Sequence, residues 1–385
     1  MAHFEDTTQA KYWLFTLEQV KEIRTKCNQE ASNRFRERVN STEIEPVKLE
    51  EEAKLRRIYE IKIQKYSEKL GLPEKAQATA VTLFKRYFLR TSVMEADLSS
   101  ISITCLYLAS KIEEYYIPFK DFVAIVETSL TAEQLLSFEM DIMQRLEFCI
   151  SCYHPYLSFS ALWSLLEESW WNTQGKEKEG VDKKKLYYYA RSLIHKSLLT
   201  DVMFFLTPGQ IALGILSFAF SHFHLSFPLD LLLSLKKEKN GGDEENWLSS
   251  WKQCIAELKR EMSTCGGLHS WNIPLEEERQ QLVNKLALCI DPQVDPTRPE
   301  YLELMKKKEE DKEMKRLEKN LAFTERRKRE FAMITGIGEG AFQVLNEDDV
   351  EGVDSKDGMK QTEEIQQESS SVISDEEMKK KRKRK

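Results

Sequence analysis

Apolar residues recur along this chain at spacings of three and four, and no useful stretch alternates apolar with polar. That periodicity predicts helices and no sheet. "FTLEQV" carries a full helix-start signal. Thr16 is placed as N-cap, Gln19 completes a capping box, and Phe15 and Val20 form a hydrophobic staple. This helix is expected to run to about Val39, with Val20, Ile23, Cys27, Ala31 and Phe35 along one stripe. Residues 1–15 read as irregular. A second helix is expected over about Leu49–Leu70, stopped by Gly71, and a third from Pro73 to near Thr91.

The fourth helix contains "ISITCLYLASKIEEYY", Ile101–Tyr116. It is apolar nearly all round and so belongs inside a bundle. It ends on charge, at Lys111, Glu113 and Glu114. Pro118 opens a short helix through Val126, and Thr131 with Gln134 caps another that runs to Glu147. Short loops between such helices predict an all-α bundle.

The pattern then repeats. "TSVM" at Thr91–Met94 returns as "TDVM" at Thr200–Met203, each preceded by an aromatic-rich helix and followed by an apolar one. A shift of 110 sets Ile101 on Ile211, Cys105 on Ile215 and Ala109 on Ala219. The expected organisation is an N-terminal segment and helix (1–48), a first five-helix repeat (49–150) and a second (151–265). A docking helix (266–299) with Leu282, Leu286 and Ile290 on its inner side follows. Residues 300–385 carry a charged, solvated helix and a disordered tail. A polar stretch at 172–185 reads as a mobile loop.

The same shift sets Lys111 on Ser221. A lysine in a last helical turn suits the exposed carbonyls and the negative end of the dipole. A second reading gives Lys111 a partner, with Glu139 the candidate. Together the two could grip a partner's exposed backbone groups. The neutral residue in the second copy favours a role specific to the first.

Composition narrows the class. The chain has 385 residues with a net charge of -7, which argues against a protein that coats DNA or RNA. Seven cysteines, and an N-terminus without an apolar run, point to a reducing intracellular compartment, and the apolar runs are too short for a membrane span. "CISC", Cys149–Cys152, has zinc-type spacing but lacks a second ligand pair, and His154 precedes a proline. His222 and His224 face different ways on a helix. "GIGEG" at 336–340 has no strand before it and reads as a linker. No catalytic constellation and no cofactor site emerge. The last seven residues, Lys379, Lys380, Lys381, Arg382, Lys383, Arg384 and Lys385, read as a nuclear import signal, and Ser374 beside three acids as a phosphate acceptor.

Two helical repeats, the "LASKIEE" ending and the glutamate in "FEMDIMQRLEF" resemble the cyclin box. Within that family "YWLFTLEQ", "FKRYFLRTSVME", "LASKIEEYYIPFKDFV" and "LTDVMFFLTPGQIAL" are similar to the H-type branch. The resemblance covers roughly residues 11–290. It implies two tandem cyclin-box repeats and a non-catalytic regulator whose Lys111 and Glu139 bind a cyclin-dependent kinase catalytic subunit. It also implies a RING-finger assembly subunit and the transcription factor IIH core as further partners. The substrates would be kinase activation loops and the C-terminal repeats of RNA polymerase II. Competing readings are a type C or type K cyclin with another kinase, and a nucleic-acid-binding protein on the same fold, like transcription factor IIB.

Overall fold

The computed structural model describes residues 4–39, 44–168, 182–228, 244–264, 276–294 and 298–335. The basic end at 379–385, Ser374 and the glycine cluster at 336–340 lie outside the described residues, as does 172–181 of the expected loop. Among the described residues every regular element is helical. The α-helices are α1 (Thr8–Tyr12), α2 (Leu17–Val39), α3 (Leu49–Lys69), α4 (Glu74–Tyr87), α5 (Leu98–Ile112), α6 (Phe119–Val126) and α7 (Ala132–Arg145). Beyond them lie α8 (Pro155–Leu166), α9 (Lys183–Ser197), α10 (Pro208–His222), α11 (Glu244–Thr264), α12 (Glu276–Cys289) and α13 (Pro299–Thr335). The chain divides into two compact units, 1–301 and 302–385.

Local capping sets many of these ends. Thr16 N donates to Gln19 Oε1 at 2.8 Å and Gln19 N returns a bond to Thr16 Oγ1 at 3.2 Å, so the capping box opens α2. Thr131 and Gln134 do the same for α7, and each such cap contributes about 1 kcal/mol. Gly71 ends the α3 turn at φ +64°, where a side chain would be strained.

Three expectations need correction. Residues 4–12, within the stretch expected to be irregular, are helical: a short 3-10 turn, Phe4–Asp6, leads into α1, where Thr7 accepts a bond from Ala10 N. Helix α4 ends at Tyr87, four residues before Thr91, because Leu89 N and Arg90 N turn back to the carbonyls of Arg86 and Tyr87. Residues 182–185, expected as loop, cap and open α9, with Asp182 accepting from Lys184 N.

Two apolar clusters form the core. The first gathers side chains from α2 to α7 and from α12. The second gathers side chains from α8 to α11. Helices α4 and α5 pack along one another at the centre of the first, and α4 is buried continuously from Ala76 to Tyr87. Leu282, Leu286 and Ile290 are buried, and α12 docks beside α3 through Lys285–Glu51 at 2.7 Å and Lys54–Glu278 at 2.6 Å.

Charged side chains join the first cluster to the chain beyond it. Arg24 of α2 forks onto both carboxylate oxygens of Asp201, at 2.6 and 3.0 Å. Lys85, buried in α4, lies 2.8 Å from Glu60 and 3.4 Å from Asp201. Glu52, paired with Arg56 at 3.2 Å, accepts a bond from Ser92. Ser92 and Asp201 are the variable residues of the two T-x-V-M segments, so both copies of that motif feed one buried ionic cluster. Burial raises the cost of a charged Asp201, but Arg24 and Lys85 outweigh it and hold the carboxyl well below its ordinary range. Arg86, also buried, donates to the carbonyls of Cys149 and Ser151 and to Gln9 Oε1, and stacks 4.8 Å from the Trp13 ring. The N-terminal segment is thereby fastened to the link between the two halves.

Candidate functional site

Helix α5 ends in a six-residue reversal. Glu113 N bonds to Ala109 O at 3.0 Å, Glu114 N to Lys111 O at 3.2 Å and Tyr115 N to Ser110 O at 2.8 Å. Glu114 takes φ +59° without being glycine, and the bonds around it satisfy the carbonyls that a helix end leaves open. Lys111 sits in that last turn, and α7 crosses beside it.

The structure brings the two expected residues together. Lys111 Nζ lies 2.5 Å from Glu139 Oε1 and 2.6 Å from Oε2, and only the Oε2 contact has hydrogen-bond geometry. The same ammonium stands 5.0 Å from the Tyr107 ring, one turn back on α5. Tyr107 in turn packs on Phe122 of α6 at 4.9 Å and Phe119 at 6.3 Å. Thus α5 and α7 supply the pair, and α6 supplies the shelf beneath it.

The two partners are unequally covered. The Lys111 side chain is 36% exposed and that of Glu139 only 5%. Lys111 has three donors and places one on Glu139; Glu139 Oε1 accepts none. The pair can therefore offer ammonium donors outward while its carboxylate stays held from within. Glu113, two residues on, plays a different part: it accepts from Thr79 Oγ1 at 2.6 Å and meets Lys75 at 2.5 Å, both on α4.

Apolar side chains rim the pair. Leu136 and Met140 share the Glu139 side of α7, and Tyr115 and Tyr116 follow the end of α5; all four are exposed, Tyr116 at 75%. Sequence reading missed them. The signal available was the i, i+4 spacing of Leu136 and Met140 around a glutamate, on a helix whose other face is Leu135, Ile142 and Leu146. Phe138 stacks 6.4 Å from the buried Tyr301, so the first residues of α13 reach α7.

His154 is not placed as a ligand. Thr79 Oγ1 donates to Glu113, so it accepts from His154 Nε2, 2.8 Å away, which fixes the Nε2–H tautomer. Burial, with Arg86 and Lys75 nearby, lowers its pKa to about 3. Cys149 and Cys152 are free thiols directed at the carbonyls of Glu147 and Ile150. Among the described residues no group of three metal-ligating side chains is present, and no helix is long and apolar enough to cross a membrane.

The family model for the cyclin N-terminal domain matches residues 23–151. Cyclin CCL1 of Saccharomyces cerevisiae is 31% identical over 229 residues, covering 55% of this chain and 57% of that protein. Cyclin-H1-1 of Arabidopsis thaliana is 30% identical over 244 residues, covering 57% of this chain and 71% of that protein. The chain thus spans little more than half of the yeast relative's length. Among solved structures, a chain of the yeast TFIIK complex of Kin28, Ccl1 and Tfb3 superposes with a TM-score of 0.51 at 27% identity. That match covers 66% of this chain and all of the other.

Proposed function

This chain belongs to the cyclin family, and on that footing we propose that it is an H-type regulatory subunit that binds and activates a cyclin-dependent kinase. Cyclins are regulatory, not catalytic, subunits, and here too the chain would supply no catalytic group. The complex would phosphorylate kinase activation loops and the C-terminal repeats of RNA polymerase II. Its further partners would be a RING-finger assembly subunit and the transcription factor IIH core, in the nucleus. The similarity to a chain of a three-protein yeast complex supports that assembly. Residues 49–150 would be the kinase-binding cyclin box and 151–265 the second.

The observation that carries this reading is the Lys111–Glu139 pair, exposed on the lysine side and ringed by Tyr115, Tyr116, Leu136 and Met140. A kinase alone keeps its C-helix turned outward, with the lysine–glutamate pair that positions ATP broken. A surface that binds the inward state more tightly shifts the population toward it. The ammonium donors would meet carbonyls at the helix's end, and the apolar rim would exclude water around them. Desolvation then makes the pair matter: removing one partner costs about 2–5 kcal/mol of binding.

The test is phosphorylation by a purified H-type-dependent kinase, with wild-type protein beside Lys111→Ala/Glu139→Ala. Activation by the wild type and its loss in the double variant, at unchanged helical content, is the expected result. Equal activation by both returns Lys111 to the role of ending a helix. No activation by either overturns the assignment.

A further inference from the structure

Helix α13 runs for 37 residues, and its described side chains from Lys306 to Arg329 are all exposed. Exposure does not make it featureless. At 3.6 residues per turn, Met314, Leu317 and Leu321 fall on one stripe, each 59–66% exposed.

The charges between 310 and 325 are sorted about that stripe. Glu310, Asp311, Glu313, Glu318 and Glu325 are all the acids of this stretch, and all lie on the stripe or along its borders. Lys312, Lys315, Arg316 and Lys319 are all its bases, and they lie toward the opposite side. Opposite charges three or four apart, as in Asp311 with Lys315 and Glu313 with Arg316, link the two sides, while the borders of the stripe within this stretch carry acids alone. Glu325 has one such pair, with Arg329 at 3.9 Å.

We infer that this face docks an amphipathic helix of another protein whose apolar stripe is bordered by lysine or arginine. In paired helices the residues beside the apolar seam face one another and set partner choice. A second copy of this chain would set acid against acid along both borders, which disfavours self-pairing. An anionic membrane surface is repelled for the same reason. A partner with basic borders closes the stripe and neutralises its flanks together. This inference stands apart from the kinase reading, which uses α5 and α7.

The test uses the full chain and two synthetic helical peptides of equal length, each with leucine at its seam. One carries lysine at every bordering position and the other glutamate. Fluorescence anisotropy should show the lysine peptide binding at least about tenfold tighter. Leu317→Ser/Leu321→Ser, which leaves the charges in place, should remove that binding, and Glu313→Lys/Glu318→Lys should reverse the preference. Equal binding of both peptides overturns the inference, as does lysine-peptide binding that survives the leucine substitutions. A dimer in sedimentation that the leucine substitutions abolish overturns it in favour of a second copy. Amides of 310–325 protected from exchange without any peptide, and released by those substitutions, overturn it in favour of the chain's own body.

Discussion

Helices α5 and α10 cover residues 98–112 and 208–222, displaced by 110 at both ends. They also end alike. His224 takes φ +56° where Glu114 takes +59°, and Phe223 N, His224 N and Leu225 N bond to Ala219 O, Ser221 O and Phe220 O as their counterparts do. Yet the last turn of α5 carries Lys111, and α10 carries Ser221 in its place. The second helix reaches the same reversal without a lysine, so ending the helix does not require one. What distinguishes the first copy is the buried carboxylate of Glu139 opposite the ammonium.

The sharpest way to break this comparison is at the joint that both copies share. Asp201→Ala leaves Arg24 and the buried Lys85 without their common carboxylate and should cost about 3–5 kcal/mol in urea unfolding. Ser92→Ala, at the matching position, removes the bond to Glu52 and the one from Met94 N and should cost about 2 kcal/mol. Equal costs would mean that the two T-x-V-M segments are interchangeable. Because Asp201 has its pKa lowered in the folded state, its contribution is present above the unfolded value near 4 and is lost as pH falls below it. Asp201→Asn should flatten the acid limb of the stability curve.

The next test transplants the lysine. Lys111→Ala alone should weaken kinase binding by about 2–5 kcal/mol and, because it leaves the buried Glu139 carboxylate without its ammonium, should also lower the unfolding midpoint, part of which Lys111→Ala/Glu139→Ala should restore. Ser221→Lys should leave kinase binding and activation at the wild-type level, measured by titration calorimetry and turnover. A gain from Ser221→Lys would show that a lysine at this turn suffices without Glu139.

His154, between the halves, should give a smaller effect that depends on pH. It is held neutral, with a pKa of about 3, so the unfolded chain takes up a proton below about 6.5 and the folded one does not. Stability should decline as pH falls from about 6.5 toward 3, and His154→Asn should lessen that slope in thermal scans. The smallest expected effect is at the rim. Leu136→Ser should weaken kinase binding by about 1 kcal/mol through lost apolar burial, whereas Leu157→Ser, at an exposed leucine of α8, should change it by nothing measurable.

The sequence by itself determined the helices whose ends are written locally. Thr16 with Gln19, Thr131 with Gln134, and the glycine after α3 act within a few residues, so their spacing suffices. The repeat was legible for the same reason, because burial on one helix imposes a period. The sequence could name Glu139 only as a candidate partner of Lys111, to which the resemblance added a role, since 28 residues separate them and spacing does not fix the contact. Tertiary structure alone decided the rest. No local signal marks Lys85 and Arg86 as interior positions, and only the fold buries them, against Asp201 and the link at 149–151. Residues 1–15 lacked a strong helical signal because α1 is short and is held by Arg86 and Tyr153. A charge can be buried only where distant segments bring its partners, and no local spacing encodes which segments those are.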